Sequence, residues 1–228
     1  MYEKGVVDDG FDLKQAAQWY LKAAESGNVS AQFRIAQMYD KGESVPQDKK
    51  EAVKWFRRAA EQKHPKAQFM VGLLYDKSEG VPHDRKEAAK WYRKSAEQGV
   101  AEAQFNLGLL YYNGSGVKQS RKEAARWFRK AANQGDSDAQ FNLGHMYAQG
   151  DGIKQDSKEA AKWFRKSADQ GFDQAQLNLG LMYFRGQGVK QNKREAFKWF
   201  GKAAAQGSDE AIKTLEILGM HRPVEEIP

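Results

Sequence analysis

Apolar residues return along this chain with two superposed periods, one of three to four residues and one much longer. Between Val100 and Gly135, Ala103, Leu107, Gly108, Leu110 and Tyr111 recur at helical spacing, which predicts an amphipathic helix near residues 102–113. Ala124, Trp127, Phe128, Ala131 and Ala132 then fall at i, i+3, i+4, i+7 and i+8, one apolar stripe and a second helix. We call the first type A and the second type B. The same pair returns along the whole chain: Trp19, Trp55, Trp91, Trp127, Trp163 and Trp199 are spaced 36 residues apart without a slip. A fixed period of this length marks a stacked repeat array, in which each unit buries its apolar face against its neighbours.

Polar punctuation agrees with the apolar pattern. Asn113-Gly114-Ser115-Gly116 ends helix A, and Val45, Val81, Val117, Ile153 and Val189 stand alone at one loop position, predicted to pin the loop onto the helices. Ser120, with Glu123 three residues later, reads as a capping box. Its hydroxyl takes a free N–H of the first turn, and the Glu reaches back to the cap's own N–H. The box recurs as Asp48…Glu51, Asp84…Glu87, Asp156…Glu159 and Asn192…Glu195, with Asp12…Gln15 in the first copy. Gly27, Gly99, Gly135, Gly171 and Gly207 close the B helices; Lys63 stands in their place once, with Pro65 as a second stop.

These signals divide the chain into a partial repeat at 1–27, five full repeats at 28–207, a capping helix at 208–218 and a flexible tail at 219–228. Met1-Tyr2-Glu3-Lys4-Gly5 matches Met38-Tyr39-Asp40-Lys41-Gly42, so the start reads as the tail of a helix that begins upstream, with no signal peptide in view. Gly72, Gly108, Gly144 and Gly180 recur inside helix A, where glycine costs about 1 kcal/mol relative to Ala, and so imply a tightly packed neighbour. The last helix carries Glu216 at that position, and Gly219 where a Tyr is due, which predicts that nothing packs there.

Composition narrows the chemistry. Hydrophobic residues at 40% and charged residues at 29% exclude a disordered chain, and no apolar run approaches the roughly 20 residues of a membrane span. The chain is expected to be soluble. It has no cysteine, which excludes disulfides, thiolate metal sites and cysteine nucleophiles. The net charge of +7 brings nucleic acid and anionic membrane into consideration.

Leu-Gly-x-x-Tyr in helix A, followed by Ala-x-x-x-Phe and Ala in helix B, is similar to the tetratricopeptide repeat. The glycine loop and the Trp beside the Phe are closer to the Sel-1-like repeat family, whose units resemble Ala103-Gln104-Phe105-Asn106-Leu107-Gly108…Tyr111…Gly114-Ser115-Gly116-Val117…Ala124…Trp127-Phe128…Lys130-Ala131-Ala132…Gln134-Gly135. The resemblance spans residues 1–218. It implies an all-α fold, a right-handed α-α superhelix (solenoid) of 36-residue helix-turn-helix repeats whose A helices line the concave face. Members of the family are adaptors and scaffolds in protein complexes, many of them bacterial, including secreted and cell-envelope proteins. A cysteine-rich branch depends on disulfides, and nothing specific to it transfers to this chain.

Candidate chemistry sorts on that frame. Each Trp lies on the apolar stripe of helix B and is read as inter-repeat core. A basic ladder (Lys54, Arg57, Arg58; Lys90, Arg93, Lys94; Arg126, Arg129, Lys130; Lys162, Arg165, Lys166) suits phosphates, yet Glu51, Glu87, Glu123 and Glu159 stand one turn earlier, placed to pair at i+3. His64, His83, His145 and His221 lack metal-ligand spacing, and no nucleophile motif or phosphate loop is present, so no catalysis, cofactor, metal or small-molecule substrate is expected.

The remaining surface is the inner edge of helix A. By analogy with tetratricopeptide repeats its positions are Gln37, Asp40, Lys41; Leu73, Asp76, Lys77; Leu109, Tyr112, Asn113; His145, Ala148, Gln149; and Leu181, Phe184, Arg185. Asn106, Asn142 and Asn178 repeat just before the Leu, and two readings stand for them: amides that hold a peptide backbone, or braces between neighbouring helices and loops. Phe33, Phe69, Phe105, Phe141 and Leu177 occupy the positions that a carboxylate-clamping tetratricopeptide repeat makes polar, which speaks against capture of a chaperone tail. The expected partner is a protein or peptide bound on the concave face by Asn106, Tyr112, Asn142, His145, Asn178, Phe184 and Arg185. The alternative is docking on anionic membrane or nucleic acid through the B-helix stripe.

Overall fold

The structure, a computed structural model, describes residues 13–219. Among these the chain is all-α, with α1 (Leu13–Glu25), α2 (Val29–Lys41), α3 (Lys49–Glu61), α4 (Pro65–Lys77), α5 (Arg85–Glu97), α6 (Ala101–Asn113), α7 (Arg121–Asn133), α8 (Ser137–Gln149), α9 (Ser157–Asp169), α10 (Asp173–Arg185), α11 (Lys193–Ala205) and α12 (Asp209–Ile217). Even-numbered helices are A type and odd-numbered helices B type. The match at Met1–Gly5, the Asp12…Gln15 box, His221 and all but the first residue of the expected tail lie outside the described residues.

Half of each capping box forms. Asp48, Asp84 and Asp156 accept from two backbone N–H groups of the first turn, and Ser120 and Asn192 from one. The reciprocal half is corrected. The cap's own N–H donates to a carbonyl of the preceding A helix, as Asp48 does to Tyr39 and Asp156 to Tyr147, tying the B helix to its own repeat. The Glu is thereby released to pair forward, Glu51 with Lys54, Glu87 with Lys90, Glu123 with Arg126 and Glu159 with Lys162. Lys63 takes the same left-handed turn as the glycines it replaces, with φ of 65°.

Two compact units divide the chain. Among the described residues the first comprises 13–103 with 115–117, and the second 104–114 with 118–219. In the first, α2 packs on α3 and α4 on α5, while α1 meets α2 and α3 meets α4. In the second, α8 packs on α9 and α10 on α11, with α7 against α8, α9 against α10 and α11 against α12.

Close approach within each pair explains the helical glycines. A Cβ at Gly72 would lie 2.6 Å from the Tyr92 ring, one at Gly108 2.7 Å from Phe128, one at Gly144 2.8 Å from Phe164 and one at Gly180 2.5 Å from Phe200. Those four rings are buried. The loop residues Val45, Val81, Ile153 and Val189 pack against the core as expected.

A buried glutamine relay joins successive repeats. In the first unit Gln68 Nε2 donates to the Ala60 carbonyl at 3.0 Å, and its Oε1 accepts from Gln98 at 2.7 Å. In the second, Gln140 donates to Ala132 at 3.1 Å and accepts from Gln170 at 2.8 Å. Gln68 and Gln140 are buried and each serves as both donor and acceptor, so these two amides are buried with their hydrogen bonds made, while Gln98 and Gln170 reach them from the exposed ends of the B helices.

Trp55, Trp127, Trp163 and Trp199 are buried and Trp91 is half-buried, as expected of an inter-repeat core. Trp19 is the correction: it is 66% exposed, because among the described residues no A helix precedes α1.

Candidate protein-interaction surface

Three cations on each of α3, α5, α7 and α9 divide three tasks among them. The first pairs with the Glu one turn back, as Lys54 does with Glu51. The second reaches the next A helix: Arg57 donates to the Tyr75 hydroxyl, Arg129 to Tyr147 at 2.6 Å and Arg165 to Tyr183. The third lies over the indole of its own helix, Arg58 at 4.5 Å from the Trp55 ring, Lys94 at 4.0 Å from Trp91, Lys130 at 4.1 Å from Trp127 and Lys166 at 4.2 Å from Trp163. The aliphatic stem shields the ring while the charge stays in water. Hydrogen bonding to the Glu carboxylates raises the Lys54, Lys90 and Lys162 ammonium groups above their ordinary pKa. The basic stripe is largely occupied with holding the array together.

The expected A-helix site falls within the second unit, on α6, α8 and α10, and its residues separate into three groups. His145 and Arg185 are exposed. Asn106, Asn142 and Asn178 are half-buried, and Asn142 and Asn178 spend an amide N–H on their own helices, on the Asp138 and Gln174 carbonyls at 2.8 Å. Tyr112 and Phe184 do not stand free. The Arg121 guanidinium lies 3.5 Å from the Tyr112 ring centroid, and the Lys193 ammonium 5.9 Å from that of Phe184.

Those last contacts belong to a series. The residue that follows the A-helix Tyr meets the first residue of its own B helix, nine positions on. Lys49 donates to Asp40 at 2.7 Å and to Glu79 at 3.2 Å, and Arg85 Nε sits 3.4 Å from Asp76. The Asp40 hydrogen bond is the main cause that raises the Lys49 pKa. Acid meets cation in the early repeats, aromatic meets cation in the later ones, and Ala148 is matched by Ser157. Sequence reasoning took this position as free to drift toward a ligand. Comparing positions nine apart across the copies would have found the pairing.

Partly open on the A helices is a row one turn earlier: half-buried Leu109 on α6, exposed His145 on α8 and half-buried Leu181 on α10, each three residues after its Asn. The first unit has a feature that sequence reasoning missed. A cavity of about 710 Å³ opens between α1 and α2, walled by Trp19, Tyr20 and Phe33, with Arg34, Gln37 and His64 at its edge. His64 stacks on Phe33 at 4.6 Å between centroids and caps α4 by accepting the Ala67 N–H at Nδ1, 3.1 Å away, so its proton sits on Nε2. Burial, then the neighbouring Lys66 charge, lowers its pKa.

Among the described residues no cluster of three or more His, Cys, Asp or Glu side chains suits a metal, and no helix is long and apolar enough to cross a membrane.

The comparisons agree with this architecture. The Sel1 repeat model matches six consecutive blocks, residues 1–28, 29–64, 65–100, 101–136, 137–172 and 173–208. Among solved structures, the chain is similar to a protective antigen present in uropathogenic Escherichia coli strains and displaying an SLR fold. The identity is 37% and the TM-score 0.85, over 92% of this chain and 45% of that one. The chain therefore spans less than half the length of that antigen. It is also similar to a Sel1 repeat protein from Oxalobacter formigenes, with 33% identity and a TM-score of 0.78 over 95% of this chain and 94% of that one. Comparison with curated proteins gives no match. As a class, Sel1 repeat proteins are non-catalytic scaffolds that mediate protein–protein interaction. With the repeat matched over residues 1–208 and its glycine–ring packing, capped B helices and glutamine relay in place, the chain belongs to the Sel1 repeat family.

Proposed function

We propose that this chain is a non-catalytic adaptor that binds a peptide or protein along its A helices, the elements that the family resemblance assigns to the concave face. The observation that carries the reading is the contrast between the two helix types. B-helix cations are engaged by glutamates, tyrosine hydroxyls and indoles of the array itself, whereas Leu109, His145 and Leu181 form a row that changes from copy to copy beside Asn106, Asn142 and Asn178. Positions identical in every repeat serve packing, and positions that vary without a partner within the fold are where a ligand is recognised. Apolar Leu109 and Leu181 flanking polar His145 suit a segment with alternating character, its backbone met by the asparagine amides. Tyr112 and Phe184 contribute as cation-backed walls.

The test compares two variants for capture of partners from bacterial extract. His145→Glu with Arg185→Glu changes exposed A-helix residues, and Arg126→Gln with Lys162→Gln removes exposed charge from the B-helix stripe. A partner retained through high salt, lost with the first pair and kept with the second, supports the adaptor. Retention of only lipid or nucleic acid, released as salt rises and lost with the second pair, moves the site to the basic stripe.

A further inference from the structure

We propose, on the adaptor reading, that α4 gives the A-helix face a subsite for an acidic segment of the partner protein, in which carboxylates flank an apolar centre. Residues at i, i+4, i+7 and i+11 of a helix fall within one narrow arc. On α4 these are Lys66, Met70, Leu73 and Lys77. Both lysines are exposed, and the two apolar residues between them are half-buried. The matching stripes on α8 (Asp138, Asn142, His145, Gln149) and α10 (Gln174, Asn178, Leu181, Arg185) are open in the same way. α4 is packed between α3 and α5, as α10 is between α9 and α11, so the open stripe belongs to the repeat itself and not to either end of the chain.

Charge sets α4 apart, and it names the occupant. Among the described residues Lys66 and Lys77 have no carboxylate partner, whereas Lys49, Lys54 and Lys90 are paired. Lys66 also stands where the helix disfavours it. It lies in the first turn of α4, at the positive end of the helix dipole, and that turn holds no acid. α6, α8 and α10 place Glu102, Asp138 and Asp173 in the same turn. The Lys66 charge thus opposes the dipole without a compensating contact in the fold, and an incoming carboxylate would provide one. On α2 of the same unit, Arg34 and Lys41 share the single Glu43, at 3.7 and 3.5 Å, which leaves further positive charge unmatched. Lys66 and Lys77 are separated by about 16 Å of helix, the span of about five extended residues. A segment with two acids at that spacing lays its apolar centre on Met70 and Leu73. A phosphate surface would satisfy the lysines and leave those two residues unmatched, so the geometry favours a protein segment.

The test is an amide NMR titration of the 228-residue chain, a measurement that registers even millimolar binding. The probe is an end-blocked six-residue peptide with glutamate at its first and sixth positions, leucine at its third and fourth and serine elsewhere. Saturable shifts are expected on α4, and they should vanish when the two glutamates become glutamine. Lys66→Glu should bind the peptide at least about five-fold more weakly while melting at a higher temperature, because an acid now faces the dipole. Loss of binding with greater stability separates recognition from folding. The matched removal of charge in Arg126→Gln with Lys162→Gln should leave the α4 shifts in place. The subsite is overturned by the absence of saturable shifts, by shifts centred on the B helices, by equal binding of the glutamine peptide, or by a lower melting temperature for Lys66→Glu. Anionic vesicles or an oligonucleotide giving the same α4 shifts at lower concentration would also overturn it, by making phosphate the occupant. Partner capture that depends on His145 and Arg185, without peptide binding on α4, would overturn the subsite and leave the adaptor standing. Peptide binding on α4 without any captured partner would uphold the subsite and count against the adaptor.

Discussion

The Arg121 guanidinium lies 3.5 Å from the centroid of the Tyr112 ring, and its Nε is 3.4 Å from Asp151 on the following loop. One side chain thus joins the end of an A helix, the start of its B helix and the next loop. Its Nη1 is buried without a hydrogen-bond partner, so the ring is what holds that side of the group. Tyr112 also packs 6.4 Å from Phe128. Tyr112→Ala should therefore cost about 1–2 kcal/mol of stability, and a double-mutant cycle with Arg121→Gln should give about 0.5–1 kcal/mol of coupling. Urea unfolding of the four proteins measures both. Coupling near zero would assign the ring's position to Phe128 alone.

Glycine and alanine exchange sign between repeats. On an exposed helix Gly→Ala is favourable by about 1 kcal/mol. At Gly108 the new methyl meets the buried Phe128 ring at 2.7 Å, so Gly108→Ala should instead destabilise by about 1–3 kcal/mol through overpacking. The first full repeat already has Ala36 at this position, buried near Phe56. There Ala36→Gly should destabilise, by lost packing and by the glycine penalty. Thermal melts of the two variants decide it; stabilisation in either would refute the packing account.

Much of the fold was legible because each repeat states it again. The 36-residue return of Trp, the boxes at Asp48, Asp84 and Ser120 and the recurring Gly72, Gly108, Gly144 and Gly180 fix helix type, boundary and close approach from one-dimensional spacing. The site was less legible, because what frees or occupies a surface position is a contact between elements. Tyr112 and Phe184 looked available until Arg121 and Lys193 were seen lying over them. Asn142 and Asn178 offered amides that are half spent on their own helices. Trp19 has the same sequence surroundings as its buried counterparts and differs only in what packs beside it.

The glutamine relay should be more sensitive than its small contact area suggests. Gln140→Leu keeps the volume, yet it removes the buried amide that bridges two repeats: the Ala132 carbonyl keeps only the Gly135 N–H, and the exposed Gln170 amide keeps the Gly135 carbonyl. An intramolecular hydrogen bond contributes about 0.5–1.5 kcal/mol net, and two are lost. The Gln140→Leu chain should therefore lose about 1–3 kcal/mol, and Gln140→Leu with Gln170→Leu, which also gives up the Gly135 contact, should be no more stable than the single variant. Equilibrium unfolding, followed by far-UV circular dichroism, gives the comparison. A double variant clearly more stable than the single would mean that the Gln170 amide left without Gln140 dominates the loss.

His64 gives the array a response to mild acid. The folded state holds its pKa below the ordinary 6.5, chiefly through burial, with the Lys66 charge second. Its Nδ1 must also remain unprotonated to accept the Ala67 N–H. Over the interval between the lowered folded pKa and 6.5, the unfolded chain binds more protons than the folded one, so stability rises with pH there. The contribution is complete above about pH 6.5 and is lost progressively as pH falls through the folded value. His64→Asn keeps a side-chain acceptor for the α4 cap and removes the titration. The melting temperature of the natural chain should therefore fall between pH 7.5 and 5.5, in a range above the ordinary carboxylate pKa values, while that of His64→Asn stays flatter. Equal slopes for the two proteins would exclude His64 as the source.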